Sequence, residues 1–362
     1  MQTLVIGNFA QINNPFDGQT TKTLNILNVL KKTFPNEIFE LFDYSKYRTK
    51  IHLISLFFIL KKILKKIDFV IIFPGGERAV KFLTYFLYFN HKKNNFSIFY
   101  PVVGGWLPET ISRNKRLIKL FSIFSGIYVE TNKMKMKLEK FGMNNIYYSP
   151  VFSLRTMISE NKLISLKRNL INTNELKLCT FSRVCYEKGI ELAINAASIV
   201  SKKAKQQISL DIYGNVDKLW IDELEKIISK NKNPYLKIKC FGLISDDKVI
   251  KLLSNHHALL FPTFYKGEGF PATILESYMA GLPAIASNWA NNDEIVIDGV
   301  TGFLFSLDNN DLEKRINWCL SNRDALILMK ENCLLEAKKY TPEVALTPFL
   351  KDFKKKIEEK QI

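Results

Sequence analysis

The chain alternates short apolar runs with longer stretches in which apolar positions recur every three or four residues, the pattern of strands followed by amphipathic helices. Residues 3–7, 69–73, 96–103 and 126–130 read as strands in the first half, with a helix over 19–34. Thr131 or Asn132 is placed to cap a further helix that stops at Gly142. The rhythm restarts with strands at 176–182, 209–213, 236–241, 258–261 and 283–286, each leading into a helical stretch. This alternation predicts an α/β fold of two Rossmann-like domains, each a parallel sheet covered by helices, facing a central cleft. A polar, Asn- and Lys-rich segment without a strand pattern, residues 150–175, divides the two. The expected domains are 1–155 and 156–340. A closing segment, 341–362, is opened by Thr341-Pro342 and reads as a lysine-rich helix, either solvated or returning to the first domain.

A length of 362 residues with 47% hydrophobic and 24% charged positions suits two buried cores and excludes a disordered chain. Five cysteines form no C-x-x-C pair and leave one over, which argues against a disulfide scaffold and a zinc ribbon and favours a reducing, cytoplasmic setting. The N-terminus lacks the basic and apolar regions of a signal peptide. The longest apolar run, 51–60, is broken by His52 and Ser55 and is about half the length a bilayer span needs.

Charge changes this picture. Residues 1–150 carry 22 basic against 9 acidic side chains, and 151–362 carry 30 against 26, so most of the net +17 sits in the first half. That asymmetry points to an anionic partner for the first half: nucleic acid, a membrane face or an anionic carrier.

The stretch 261–283 holds the most chemistry. A strand end is followed by Glu268 between Gly267 and Gly269, then by a helical run carrying Glu276, then by Gly281 before the next strand. A separation of eight is a little over two helical turns, so both carboxylates point broadly alike but too far apart to share a proton. Such a pair suits gripping the hydroxyls of a sugar or ribose; the plain alternative is a solvated helix face. No Asp-x-Asp lies at a strand end, and Asp246-Asp247 reads as a helix start, so no metal is expected.

Glu268 and Glu276 with Gly269-Phe270 between, followed by Tyr278-Met279-Ala280-Gly281-Leu282-Pro283, resemble the E-x7-E region of family 4 retaining glycosyltransferases, which have the GT-B fold. Further matches run in order: Ser182-Arg183 with Lys188-Gly189, Asp211-Ile212-Tyr213-Gly214, Glu294-Ile295-Val296, Asp298 to Leu304, and, in the first half, Asp17-Gly18-Gln19-Thr20. Three positions depart from the pattern. Pro271 stands where many members have a third residue glycine, Gly18 is a single glycine where a pair is common, and residues 102–106 contain no histidine.

The resemblance implies transfer of a sugar from a nucleotide diphosphate sugar, itself a substrate, to a glycan acceptor with retention of configuration. It makes Glu268, Arg183 and Lys188 catalytic. It places Gly18, Arg183, Lys188, Gly214, Gly269, Phe270 and Glu276 around the nucleotide sugar, with Glu268 on sugar hydroxyls and Glu276 on the ribose. Arginine and lysine suit the diphosphate, one as a planar fork and the other as a point charge. Glycine turns before helices, at Gly18 and at Gly267–Gly269, offer backbone N–H groups to phosphate. Cofactors, metals included, are then unnecessary. His256 and His257, beside an apolar strand, read as structural, and Cys179 and Cys185 as small core residues.

Residues 51–66 and 81–93 combine apolar faces with Lys61, Lys62, Lys65, Lys66, Lys92 and Lys93, and a further basic group gathers at Arg113, Lys115, Arg116 and Lys119. These faces either pack on the first sheet or dock on the anionic inner surface of the cell membrane, where a lipid-linked glycan acceptor of capsule, O-antigen or lipopolysaccharide assembly would be met. The alternatives are a basic nucleic-acid-binding protein, for which no recognisable module is found, and a catalytically silent GT-B scaffold, against which the four charged site residues speak.

Overall fold

The computed structural model describes residues 1–9, 18–44, 58–74, 76–308 and 310–361. The chain divides into two compact units, Met1–Val151 with Pro342–Ile362, and Phe152–Thr341. The first division thus falls a few residues before the expected boundary.

In the first unit β1 (Gln2–Gly7), β2 (Ile38–Asp43), β3 (Phe69–Ile72), β4 (Ser97–Pro101), β5 (Gly126–Val129) and β6 (Ile146–Tyr148) form one sheet in the order β2-β1-β3-β4-β5-β6. Every pairing is parallel. The central strands are apolar and buried on both faces, as a helix-covered parallel sheet requires. The helix expected at 19–34 is Gly18–Thr33. Thr131 is the cap expected before 132, its Oγ1 accepting from Met134 N at 3.2 Å, and the helix Asn132–Lys140 ends in a turn with Gly142 at φ 86°.

In the second unit β7 (Leu176–Phe181), β8 (Ile208–Tyr213), β9 (Leu236–Gly242), β10 (Ala258–Phe261), β11 (Ala284–Ser287) and β12 (Gly302–Phe305) are ordered β12-β11-β10-β7-β8-β9, again all parallel. The strand order reverses between β7 and β10, so the ends of these two neighbours open a crevice of the kind in which doubly wound sheets bind ligands. Two expectations are corrected here. The helical stretch expected after residue 286 is reduced to a 3-10 turn, Asn292–Glu294. The supposed linker 150–175 contains the helix Glu160–Ile171, capped by Ser159 Oγ, whose Leu163, Leu166 and Leu170 are buried and which packs along the helix Arg323–Ala337.

The closing helix Thr347–Gln361 is not a solvated appendage but a core element of the first unit. Phe349 and Phe353 are fully buried. Phe353 meets the rings of Phe34, Phe69 and Phe99 at centroid distances of 5.1, 5.2 and 5.3 Å, and Phe349 meets Tyr128 at 5.0 Å. Tyr128 Oη donates to Asp352 Oδ2 at 2.8 Å, while Lys360 reaches the Asp68 and Asn95 carbonyls at 3.2 and 3.1 Å. The spacing 349, 353, 357 is one face of a helix, which the lysines around it conceal in composition.

Part of the basic segment 51–66, including Leu53, Leu56 and Phe57, lies outside the described residues. Within the described part, residues 58–63 are helical, followed by a 3-10 turn, Leu64–Lys66. Leu60 and Leu64 are buried in the first core, so the described part of that face packs inward. Phe58, Ile59, Lys61, Lys62, Lys65 and Lys66 stay exposed, as does Phe89 on the helix Glu77–Asn94. Among the described residues, no helix is long and apolar enough to cross a membrane, and all five cysteines are free.

Because Phe353 fills the centre of an aromatic cluster, Phe353→Ala is expected to destabilise the first unit by about 3–5 kcal/mol, read from urea denaturation followed by tyrosine fluorescence. The exposed neighbour Lys354, changed to Ala, should shift stability by no more than about 0.5 kcal/mol.

Candidate active site

At the carboxyl end of β7 the chain passes through Ser182 and Arg183 into a 3-10 turn, Tyr186–Lys188, which Gly189 closes in the left-handed region at φ 69°. A Cβ on Gly189 would stand 2.0 Å from the Pro262 carbonyl oxygen, so only glycine lets the β7 loop approach the end of β10 this closely. Gly214, after β8, is constrained in the same way: φ is 137° and a Cβ would meet Ser182 O at 1.8 Å. The two glycines hold the loops after β7, β8 and β10 together.

This approach joins two of the expected residues. Lys188 Nζ lies 2.6 Å from Glu268 Oε2, both side chains largely buried. Thr263 Oγ1, fully buried at the end of β10, donates to the same oxygen at 3.0 Å. Glu268 Oε1 keeps no partner among the described residues, and the ammonium has donors to spare. The ring of Tyr265 lies beneath both cations, 5.1 Å from Lys188 Nζ and 6.0 Å from Arg183 Cζ. Arg183 itself is exposed. Tyr265 is in turn held by its carbonyl, which accepts from Trp289 Nε1 at 2.8 Å. The resulting group, Arg183, Lys188, Thr263, Tyr265 and Glu268, carries two cations and one carboxylate in the crevice between β7 and β10. It can take an anion on the cations and a hydroxyl on the open carboxylate oxygen.

Glu268 precedes the helix Ala272–Met279 rather than lying on it, and Glu276 is inside that helix. Each carboxylate has its own cation. Glu276 Oε1 pairs with Arg155 Nη1, and Arg155 Nη2 reaches Asp246 Oδ1 at 2.8 Å. Gly269 is buried, and its carbonyl accepts from Asn291 Nδ2 at 3.4 Å. The Phe270 side chain is buried, with its ring centroid 5.3 Å from that of Tyr340. The Glu268 N–H, in the glycine turn, is used within it, donating to Tyr265 O at 3.2 Å. Gly18 opens the helix Gly18–Thr33 in the first unit, while Asp17 and the loop before it lie outside the described residues.

The histidines are used within the fold. His256 Nε2 lies 3.1 Å from Asp211 Oδ2, and although burial works against charge, the neighbouring Cys179 and Asp211 push its pKa up to about 10. His257 accepts from Lys177 N at Nδ1, 3.0 Å, and donates from Nε2 to Leu170 O, 3.2 Å. Burial, helped by the charge of Lys330, lowers its pKa to about 3, so it is neutral. Asp246 and Asp247 do begin a helical turn, Asp246–Lys248. Among the described residues no cluster of three or more His, Cys, Asp or Glu is placed to hold a metal ion.

Sequence reading missed Thr263, Tyr265 and Arg155, none of which stands out by spacing. It also missed a charged pair in the first unit. Lys22, on the helix Gly18–Thr33, contacts Glu130 Oε1 at 2.6 Å and the Val102 carbonyl at 2.5 Å, both side chains buried. Gly104 N donates to Glu130 Oε2 at 3.3 Å. The loop 102–106, which lacks a histidine, is thereby tied down at the carboxyl ends of β4 and β5.

The family model described as "Glycosyl transferases group 1" matches residues 161–336. An uncharacterized glycosyltransferase of Methanocaldococcus jannaschii, MJ1069, is 28% identical over 48% of this chain and 43% of its own length. This chain thus spans less than half of that relative. An uncharacterized 41.2 kDa protein from the cps region of Klebsiella pneumoniae is 23% identical over 70% of each chain. Among solved structures, HepE of Anabaena in complex with UDP and glucose is similar with a TM-score of 0.72 at 15% identity, covering 98% of this chain and 100% of HepE, a likeness of fold. The matched residues 161–336 include Arg183, Lys188, Glu268 and Glu276, so this part of the chain is similar to group 1 glycosyl transferases, and the chain's two parallel six-stranded sheets have the α/β, GT-B fold.

Proposed function

We propose that this protein moves a sugar from a nucleotide diphosphate sugar to a hydroxyl of a glycan acceptor, with retention of anomeric configuration. The observation that carries the reading is the Lys188–Glu268 pair: a carboxylate with one oxygen held by Lys188 and Thr263 and the other open, beside an ammonium with unused donors. Transfer breaks the bond from the anomeric carbon to the diphosphate, and negative charge grows on the departing oxygens. Arg183 and Lys188 neutralise that charge, so the reading calls for no metal ion. Glu268 orients the sugar through its hydroxyls, and Glu276 holds the ribose. The acceptor oxygen attacks on the face the diphosphate leaves, and the acceptor proton passes to a phosphate oxygen, so no protein nucleophile takes part. UDP and glucose bound to HepE support a nucleotide sugar as donor.

The acceptor in this reading is a lipid-linked glycan of a cell-surface polysaccharide, capsule, O-antigen or lipopolysaccharide, which the cps-region relative supports. The protein works in the cytoplasm at the inner face of the membrane. Phe58 and Phe89, 65% and 68% exposed, stand among Lys61, Lys62, Lys65, Lys92 and Lys93 or close to them in sequence, a composition suited to an anionic interface.

Binding of UDP, GDP, ADP and their sugars, followed by thermal shift, identifies the donor; no stabilisation by any of them would remove the reading. Lys188→Ala is expected to lower turnover at saturating donor by roughly 100-fold or more, the effect of losing one preorganised donor of positive charge, and near-normal turnover would exclude the role given to it. In flotation assays the protein should rise with vesicles containing anionic lipid and stay down with neutral ones, and Phe58→Ser with Phe89→Ser should weaken that difference. Equal behaviour with both vesicle types would rule out the docking.

A further inference from the structure

We propose that Arg155 is a positioning residue of the donor site, which sets the carboxylate of Glu276 for the ribose before the nucleotide arrives. The proposal rests on the reading of Glu276 as the ribose-binding group and adds to it a residue that neither its motif nor its spacing marks. Arg155 lies at the start of the second unit, on a stretch laid along the helix Ala272–Met279. Its own N–H donates to Ser153 Oγ at 3.2 Å, and Ile158 N donates to Met279 O at 3.0 Å, the last residue of that helix. The guanidinium therefore comes from a fixed backbone. One arm meets Glu276, which is 13% exposed against 22% for Arg155; the other meets Asp246, which is 80% exposed.

The two arms are unequal for that reason. An ion pair with a carboxylate in open water contributes little, whereas one between two mostly buried groups is screened less and leaves an uncompensated charge if broken. Arg155 holds this position although its Nε–H is buried without a partner among the described residues. Two consequences follow for a nucleotide. A free glutamate side chain has several rotamers to lose on binding, and the arginine removes them in advance. An unpaired carboxylate would also repel a diphosphate, and the guanidinium offsets that charge. Glu276 Oε2 has no partner among the described residues and is left to accept from the sugar hydroxyls. A lysine provides a point charge without the fork, so it can restore the second effect but not the first.

The test measures binding by calorimetry of whichever of UDP, GDP and ADP wild-type protein binds best, and of its 2′-deoxy and 3′-deoxy counterparts. Wild-type protein should prefer the ribonucleotide by about tenfold, on the order of one hydrogen bond to a charged group. Glu276→Gln should abolish the preference. Arg155→Gln should weaken ribonucleotide binding about tenfold and shrink the preference, Arg155→Lys should recover affinity more than preference, and Asp246→Asn should stay within about twofold. In the double variant, Arg155→Gln should add no loss to Glu276→Gln. If wild-type protein shows no preference for ribose, or Glu276→Gln keeps it, the ribose reading itself fails. If Glu276→Gln loses the preference while Arg155→Gln, or Arg155→Lys where the glutamine variant does not fold, keeps wild-type affinity and preference, Arg155 has no positioning role.

Discussion

The arrangement of the second unit depends on β7 and β10 being neighbours that run the same way. A parallel sheet brings the carboxyl ends of its strands to one edge, and a reversal in strand order leaves the two loops there free to diverge. Here they are instead drawn together, because Gly189 admits the Pro262 carbonyl and Gly214 admits that of Ser182. Lys188 and Glu268, distant in sequence, come within 2.6 Å as a result. Thr263 and Tyr265, on the short stretch leaving β10, fill the space below them. Backbone approach therefore comes first in this site, and the charged groups follow from it.

Several charges that leave water in this protein are met by polar partners. Lys22 has Glu130 and a carbonyl. Lys330, fully buried, donates to the carbonyls of His256 and Gly281 at 2.8 and 3.1 Å, and burial lowers its pKa to about 8. It thus ties the helix Arg323–Ala337 to the segment that enters β10 and to the turn that precedes β11. His256 binds Asp211 across from β8. Desolvation without such pairing is costly, so these contacts specify the packing of helices on the sheet more than they add net stability.

Much of this was legible in the residue pattern, for physical reasons. Central strands such as β7, β8 and β10 are largely buried apolar runs bounded by polar turns, so their limits agree with the pattern to within a residue. The strands that escaped it lie toward sheet edges or are short: β2 alternates around Glu40 and buries only Phe42 and Asp43, β6 has three residues, and β12 is hidden within a glycine turn. Lys188 was legible beside Gly189, which takes a left-handed conformation, and Glu268 through the glycines on either side of it in sequence. Arg155 was not, since Asp246 lies 91 residues on and no local rule connects them. Phe270 was legible as part of a motif, while the packing of its ring against Tyr340, 70 residues on, was not.

The first unit is assembled from two stretches that flank the second in sequence, with the whole of the second unit encoded between them. During synthesis the second unit emerges as one continuous piece and can fold as soon as it clears the ribosome. The sheet of the first unit, although made earlier, must wait with the aromatic floor around Phe69, Phe99 and Tyr128 uncovered until the final helix is translated. The unit that is begun first is therefore the last to be finished, and a chain stopped between the second unit and that helix would leave a sticky aromatic surface exposed.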